Sequence, residues 1–455
     1  MKSHIIFFKT ILLSFFFIFS CGHSQLAGIL GEEASKAEFP FIAKLGPTSA
    51  TISWKCSMEA KGTAYVSSGV YPSLLKSSKN HFIQLENLNP NTEYTVFLTC
   101  GSQKMLEGQV LQFVTWISSD PPKTRGIWLV GGIGSNALPV AEIDLFDPVT
   151  GTWYPSITSL PTPRIYASVV SHKNRIYVIG GLENNSGTYV SSLKVEAYDP
   201  YLDIWTTMSP LPSGSQGAVV GSVGDEIYII SGSNSPDMTN GPVLNTVLKF
   251  YPDIGATGQW VSYSSASTIF SRVDMSGCGI DGTIFYTGGR TYNTGSTNTS
   301  TDAFVSSANT TTSFSEPSLS ESKHGAAGLC IQPAPSDAYP TDSNWFAVIG
   351  GSTGSGNVAQ PATSIVPSDK TEFLLPGSAT FSAGPTLPNT LYYPASQISY
   401  ETRKIFVFGG SHTINVAENS VYSLDSADPI LSAWTTLIEP MPHRRYGHKA
   451  IRIDR

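Results

Sequence analysis

Arg175-Ile176-Tyr177-Val178-Ile179-Gly180-Gly181 is a short apolar strand ending in two glycines, and the fold is decided by what it repeats. The same pattern returns at Lys404-Ile405-Phe406-Val407-Phe408-Gly409-Gly410, and other copies end at Gly131-Gly132, Ser231-Gly232, Gly288-Gly289 and Gly350-Gly351. From second glycine to second glycine the copies stand 49, 51, 57, 62 and 59 residues apart. A period of about 50 residues belongs to a four-stranded propeller blade and is too long for a helical solenoid unit. Such a strand must turn sharply where blades crowd together, and a residue without a side chain tolerates positive φ and close approach there.

After each diglycine comes a variable loop, a strand with a polar end, and then an aromatic residue. Blade one has Ile143-Asp144-Leu145-Phe146-Asp147-Pro148 and Trp153, and blade two has Val195-Glu196-Ala197-Tyr198-Asp199-Pro200 and Trp205. Blade three has Phe250-Tyr251-Pro252 and Trp260, and blade six Val421-Tyr422-Ser423-Leu424 and Trp434. This order of diglycine, tyrosine with aspartate and proline, and tryptophan resembles the kelch family over residues 125–455. Blades four and five depart from it, with Phe314 and Phe381 where tryptophan is expected. The aromatics are expected to pack between blades. The resemblance implies an all-β, six-bladed kelch propeller. Its first strand lacks an inner neighbour, while Arg444-Arg445-Tyr446-Gly447-His448-Lys449-Ala450-Ile451-Arg452-Ile453 is an innermost strand with no blade after it. The C-terminus is therefore expected to complete blade one, pairing an otherwise bare edge.

Composition agrees with many short strands joined by turns: 41 glycines, 30 prolines and only 13% charged residues. The net charge of -7 argues against nucleic acid as a partner, since phosphate neutralisation needs clustered Lys and Arg.

Residues 1–20 read as a signal peptide, with Lys2 and Lys9 ahead of an apolar run too short to span a bilayer. Ile18-Phe19-Ser20-Cys21 resembles a bacterial lipobox, although Phe19 is larger than that family prefers. It implies a lipid on Cys21 as the sole membrane attachment, and an extracytoplasmic location: outer membrane or cell surface if lipidated, periplasmic or secreted otherwise. Of five cysteines, four then remain for two pairs in an oxidising compartment.

Between residues 35 and 117, Ala50-Thr51-Ile52-Ser53-Trp54-Lys55-Cys56 alternates as a half-buried strand, and Leu88-Asn89-Pro90-Asn91-Thr92-Glu93-Tyr94 closes one strand and opens another. Trp54, Leu88, Pro90 and Tyr94, with Gln112-Phe113-Val114-Thr115 as a last strand, resemble a fibronectin type III sandwich. Cys56 shares a face with Trp54, and Cys100 shares one with Tyr94, Val96 and Leu98, so both thiols point into one core, either bridged or as two buried thiols. Cys278 and Cys330 sit at offsets six and seven from Arg272 and Lys323, the starts of neighbouring innermost strands. They point to opposite blade faces and can bridge two blades or remain as free thiols. Residues 118–123, with Pro121-Pro122, read as a stiff linker.

The loop after each diglycine and the segment leading into each innermost strand emerge at one end of a kelch propeller. The loops are rich in Ser, Thr, Asn and Gly at residues 291–300 and 352–361. The lead-ins bring Arg164, Arg272, Lys323, His324, Tyr392, Tyr393, Arg444 and Arg445 to that rim. A ring of cations suits an anionic or hydroxyl-rich ligand, the alternative being solvated loop charge. No catalytic constellation, metal set or cofactor is expected: His443 and His448 fall on opposite sides of a regular strand, and the Tyr-His dipeptide of propeller copper oxidases is missing. Sequons stand at Asn184, Asn298 and Asn309. The expectation is an exported, lipid-anchored, non-enzymatic protein whose propeller face recognises a protein or glycan. A carbohydrate-modifying enzyme such as a sialic acid mutarotase is the alternative.

Overall fold

The computed structural model describes residues 35–45, 48–67, 69–73, 77–115, 125–200, 202–236, 242–263, 272–291, 300–305, 310–332, 344–354, 365–375, 378, 380–413 and 415–454. The leader, Cys21, the linker 118–123, Asn298, Asn309 and most of the two long loops lie outside them, as does the side chain of Phe314. The described residues are strands and turns without an α-helix; Met105–Glu107 makes one 3-10 turn.

Two sheets form first. Ala37–Leu45, Ala50–Ala60 and Ser78–Leu85 make one, and Gly69–Pro72, Gly62–Val66, Glu93–Cys100 and Gln109–Val114, in that spatial order, make the other. Their inner faces share a core of Ile52, Trp54, Cys56, Val96, Leu98, Cys100 and Phe113. The alternation that put Trp54 and Cys56 on one face now puts Cys56 in a disulfide with Cys100 across the two sheets, Cα atoms 5.8 Å apart.

Six four-stranded antiparallel sheets follow, each with its strands in one order from inside to outside. The second is typical: Ser168–His172 innermost, then Arg175–Ile179, Val195–Asp199 and Ile204–Thr207. The other innermost strands are Val219–Val223, Ser276–Ile280, Ala327–Ile331, Ala395–Ser399 and Lys449–Asp454. Lys449–Asp454 pairs along its whole length with Arg125–Val130, so the end of the chain sits in the same sheet as its first diglycine strand. Each innermost strand contacts the next, and the contacts run on from Ala395–Ser399 to Lys449–Asp454 and from there to Ser168–His172.

The diglycine is where one sheet touches the next. A Cβ on Gly180 would come within 2.3 Å of the Ser215 carbonyl oxygen, and one on Gly181 within 2.7 Å of that of Ile165. With φ at 62° and 89°, neither position suits a side chain. The Gly181 amide instead donates to Ser215 of the next sheet's lead-in at 2.7 Å. Ser231 shows how the one replacement is accommodated: at φ 60° its hydroxyl donates to the Arg272 carbonyl at 2.6 Å, turning the same close approach into a hydrogen bond.

The tryptophans stitch the sheets at their outer ends. Trp205 donates to Thr158 at 3.2 Å, Trp260 to the Ser209 carbonyl at 2.8 Å, Trp434 to the Pro385 carbonyl at 3.1 Å, and Trp153 to the Glu439 carbonyl at 3.4 Å. Each partner belongs to the preceding sheet's outer strand or the segment leaving it, and for Trp153 that preceding sheet is the last in sequence. The structure therefore gives the aromatics the packing role expected of them.

Cys278 and Cys330 are bonded across neighbouring innermost strands, with Cα atoms 5.5 Å apart. Glycine allows this approach: a Cβ on Gly328 would lie 2.4 Å from the Gly277 nitrogen. Replacing both cysteines by Ala is expected to cost about 4 kcal/mol on the chain-entropy estimate for so long a loop. Denaturant unfolding of the variant beside the wild type measures it, and coincident curves would show that the glycine-lined contact holds without the bond.

Candidate binding face

Each lead-in turns into its innermost strand through a residue in the left-handed region. The six are Tyr166, Gly217, Asp274, Gly325, Tyr393 and Gly447, with φ between 50° and 66°. Their amides and carbonyls run head to tail around the axis. Gly217 donates to Tyr166 at 3.1 Å, Asp274 to Gly217, Gly325 to Asp274, Tyr393 to Gly325 and Gly447 to Tyr393 each at 2.9 Å. Each sheet is thereby tied to the next in sequence by main chain alone.

Two residues before this turn, the lead-in side chain points into its own sheet rather than out to solvent. Arg164 is fully buried: its guanidinium donates to Glu196 at 2.6 Å and to the carbonyls of Lys194 and Val178. Arg445 does the same, reaching Asp144 at 2.6 Å and the carbonyls of Gly131 and Glu142. Lys323 lies 2.7 Å from Glu372, and Arg272 donates to the Gly288 carbonyl at 2.8 Å. Burial lowers the pKa of both Arg164 and Arg445, and the neighbouring carboxylates oppose it. The expected cationic rim is thus corrected: Arg164, Arg272, Lys323 and Arg445 are interior struts. The physical reason is that the diglycine ends the strand ladder, leaving carbonyls that need a multivalent donor.

His324, Tyr392 and Tyr393 are also buried. His324 Nε2 donates to the Gly354 carbonyl at 3.0 Å, and its ring meets the edge of Tyr392 with centroids 5.5 Å apart. Tyr392, Tyr393 and Tyr166 pack together with tilted rings, centroids 4.3 Å apart in the first pair and 5.3 Å between Tyr166 and Tyr393. Burial, then the Asp274 carboxylate and neighbouring phenols, push the Tyr166 and Tyr393 phenols well above the usual range. Asp274 itself is held by Arg290 at 2.9 Å. Of the eight expected face residues, Arg444 alone is exposed, at 52% of its side chain, with Glu418 3.8 Å away.

Among the described residues the face also exposes Lys194, Lys370 and His412, paired with Glu183, Glu321 and Glu418, and beside them a set of apolar side chains. The segments between diglycine and third strand carry Leu138, Val190, Leu193, Val366 and Val416, each between 37% and 53% exposed. By strand order these segments all leave the same end of their sheets. Asn184, the described sequon, holds its hairpin by accepting from the Gly187 amide at 2.7 Å. His443 and His448 do not converge: His443 Nδ1 lies 3.0 Å from Asp144, whereas His448 is buried elsewhere, its pKa held well below normal by burial and the charges of Arg445 and Lys449.

The residues that sequence reasoning missed are Tyr166, Asp274, Arg290 and Tyr446, which complete the axial cluster. A signal existed in the equivalence of Tyr166, Gly217, Asp274, Gly325, Tyr393 and Gly447, each two residues after a lead-in position that is basic in four of the six sheets.

The kelch motif matches residues 163–212, which hold all four strands of the second sheet. Kelch-like protein 26 of Danio rerio is 30% identical over 108 residues, 24% of this chain and 18% of its own. Kelch repeat and BTB domain-containing protein 2 of Homo sapiens is 32% identical over 144 residues, 32% of this chain and 20% of its own. Beta-scruin of Limulus polyphemus is 30% identical over 113 residues, covering 24% and 12%. The chain thus spans about a fifth or less of the length of these relatives.

Proposed function

We propose that this chain, which carries a kelch motif at residues 163–212, is a kelch-repeat protein, that its six four-stranded sheets are the blades of one closed propeller, and that the propeller binds a protein partner through the end carrying the post-diglycine segments. The cyclic neighbour order of the innermost strands, the pairing of Lys449–Asp454 with Arg125–Val130 and the reach of Trp153 to Glu439 support closure. Residues 35–117 are read as a separate fibronectin type III-like module, supported by the three-plus-four strand arrangement. The leader pattern in residues 1–20, with Cys21 behind it, and two disulfides favour export and a lipid anchor.

The observation that carries the functional reading is the exchange on the face: its basic lead-in residues are spent internally, while Leu138, Val190, Leu193, Val366 and Val416 remain exposed. These apolar side chains suit a protein surface, whereas the exposed cations beside them, Lys194, Lys370 and Arg444, each stand against a carboxylate and so have less to offer an anionic glycan. The carbohydrate-modifying alternative loses the same support.

A photo-crosslinking amino acid at Val190, Val366 or Val416 is expected to capture one common partner in the producing cells, whereas one at Ile254 or Leu431, on turns at the opposite end, captures none. Val190→Glu with Val416→Glu is expected to abolish capture without lowering the melting temperature. Equal capture from both ends, or specific retention on a glycan array alone, would overturn the reading.

A further inference from the structure

The innermost strands of all six sheets surround an axial chamber of about 850 Å³, with Pro40 and Gln109 of the N-terminal sandwich at one end. A volume of this size accommodates a small organic molecule. Much of the wall is small, including Gly221, Gly277, Gly279 and Gly328, so chemistry is confined to a few side chains.

Lys449, the first residue of the C-terminal strand, lines this chamber and is exposed within it. Its ammonium makes no hydrogen bond or ion pair with the described residues. The other cations of the wall are engaged: Lys173 lies 2.7 Å from Asp225 and 2.6 Å from Asp253, and the Arg452 guanidinium sits over the Tyr400 ring at 4.3 Å. On the neighbouring innermost strand, Ser396 also lines the chamber, and its hydroxyl, buried behind the wall without a hydrogen-bond partner, is free to turn toward it. The acidic group that acts on Lys449 is Asp274, whose Oδ2 is taken by Arg290. The surrounding strands lower the Lys449 pKa and Asp274 only partly opposes it, so an anion beside the ammonium would favour its charged form.

We propose that the axial chamber binds a small monoanionic carboxylate, with Lys449 as its counter-ion and Ser396 as a hydrogen-bond donor. One unpaired ammonium balances one negative charge. A phosphate dianion would leave a surplus charge close to Asp274, and a neutral ligand would leave the ammonium unmatched. The site is distinct from the protein-binding face, being inside the ring of strands rather than on the loops.

The test uses the purified protein with its lysines ¹³C-dimethylated, the Lys449 signal being identified by its loss in Lys449→Arg. Sodium lactate and sodium phosphate are titrated at constant ionic strength. Lactate is expected to move the Lys449 resonance along a saturating curve while exposed lysines stay still, and Ser396→Ala is expected to weaken that binding about fivefold. A Lys449 signal that stays fixed, or that drifts linearly together with the exposed lysines, overturns the site. Saturation by phosphate at lower concentration than lactate overturns the assignment to a carboxylate.

Discussion

Removing residues 446–455 is expected to abolish the cooperative unfolding transition of the six-sheet region rather than merely lower its midpoint. The deleted segment contains Lys449–Asp454, which pairs in full register with Arg125–Val130 and buries Ala450, Ile451 and Ile453. Each buried isoleucine is worth about 1.5–3 kcal/mol, and each ladder hydrogen bond about 1 kcal/mol net. Their sum is comparable with the whole stability of a typical domain, about 5–15 kcal/mol. The loss also leaves Arg125–Val130 as a bare edge and removes the Gly447 to Tyr393 main-chain bond. Near-UV circular dichroism and calorimetry check the result. A truncated protein with the wild-type melting temperature would overturn the proposed closure by the C-terminal strand.

The parts of this structure legible in the sequence are those governed by short-range rules. A diglycine announces a backbone turn because φ near +60° is local to the residue, and Gly180 and Gly181 behave accordingly. Parity along strands, a period-two property, placed both cysteine pairs within reach of a bridge without deciding between bridge and free thiols: Cys278 and Cys330, one step out of phase, meet across adjacent innermost strands. The lead-in cations were misjudged because their destiny depends on a distant partner. Arg164 finds Glu196 32 residues later, and Arg445 finds Asp144 301 residues earlier. No local pattern distinguishes an arginine on a solvated loop from one folded under it. The chain does hold a longer-range clue. Where the lead-in residue is Arg164, Lys323 or Arg445, the third strand of the same sheet offers Glu196, Glu372 or Asp144 at the matching register position. Where it is Leu391, that position holds Tyr422.

That internal exchange makes the buried pair testable. Arg164→Leu is expected to destabilise the protein by about 3–5 kcal/mol, because it strands the buried Glu196 carboxylate and leaves the Lys194 and Val178 carbonyls without their guanidinium donor. The sixth sheet solves the same packing problem without charge. Leu391 and Tyr422 are each 1% exposed, and the Tyr422 hydroxyl accepts from Asn389 at 2.8 Å. In the second sheet the residue corresponding to Asn389 is Thr162, which donates to Glu196 at 3.1 Å. Transplanting the whole solution as Thr162→Asn, Arg164→Leu and Glu196→Tyr is therefore expected to recover most of the loss, since it removes both charges and supplies the phenol with a donor. Denaturant unfolding of the single and triple variants measures the difference, and binding through the exposed face should survive in the triple variant, because a strut has been changed and not a ligand contact. If Arg164→Leu left stability unchanged while weakening partner binding, Arg164 would belong to the binding face after all, and the buried-strut account of these cations would be wrong.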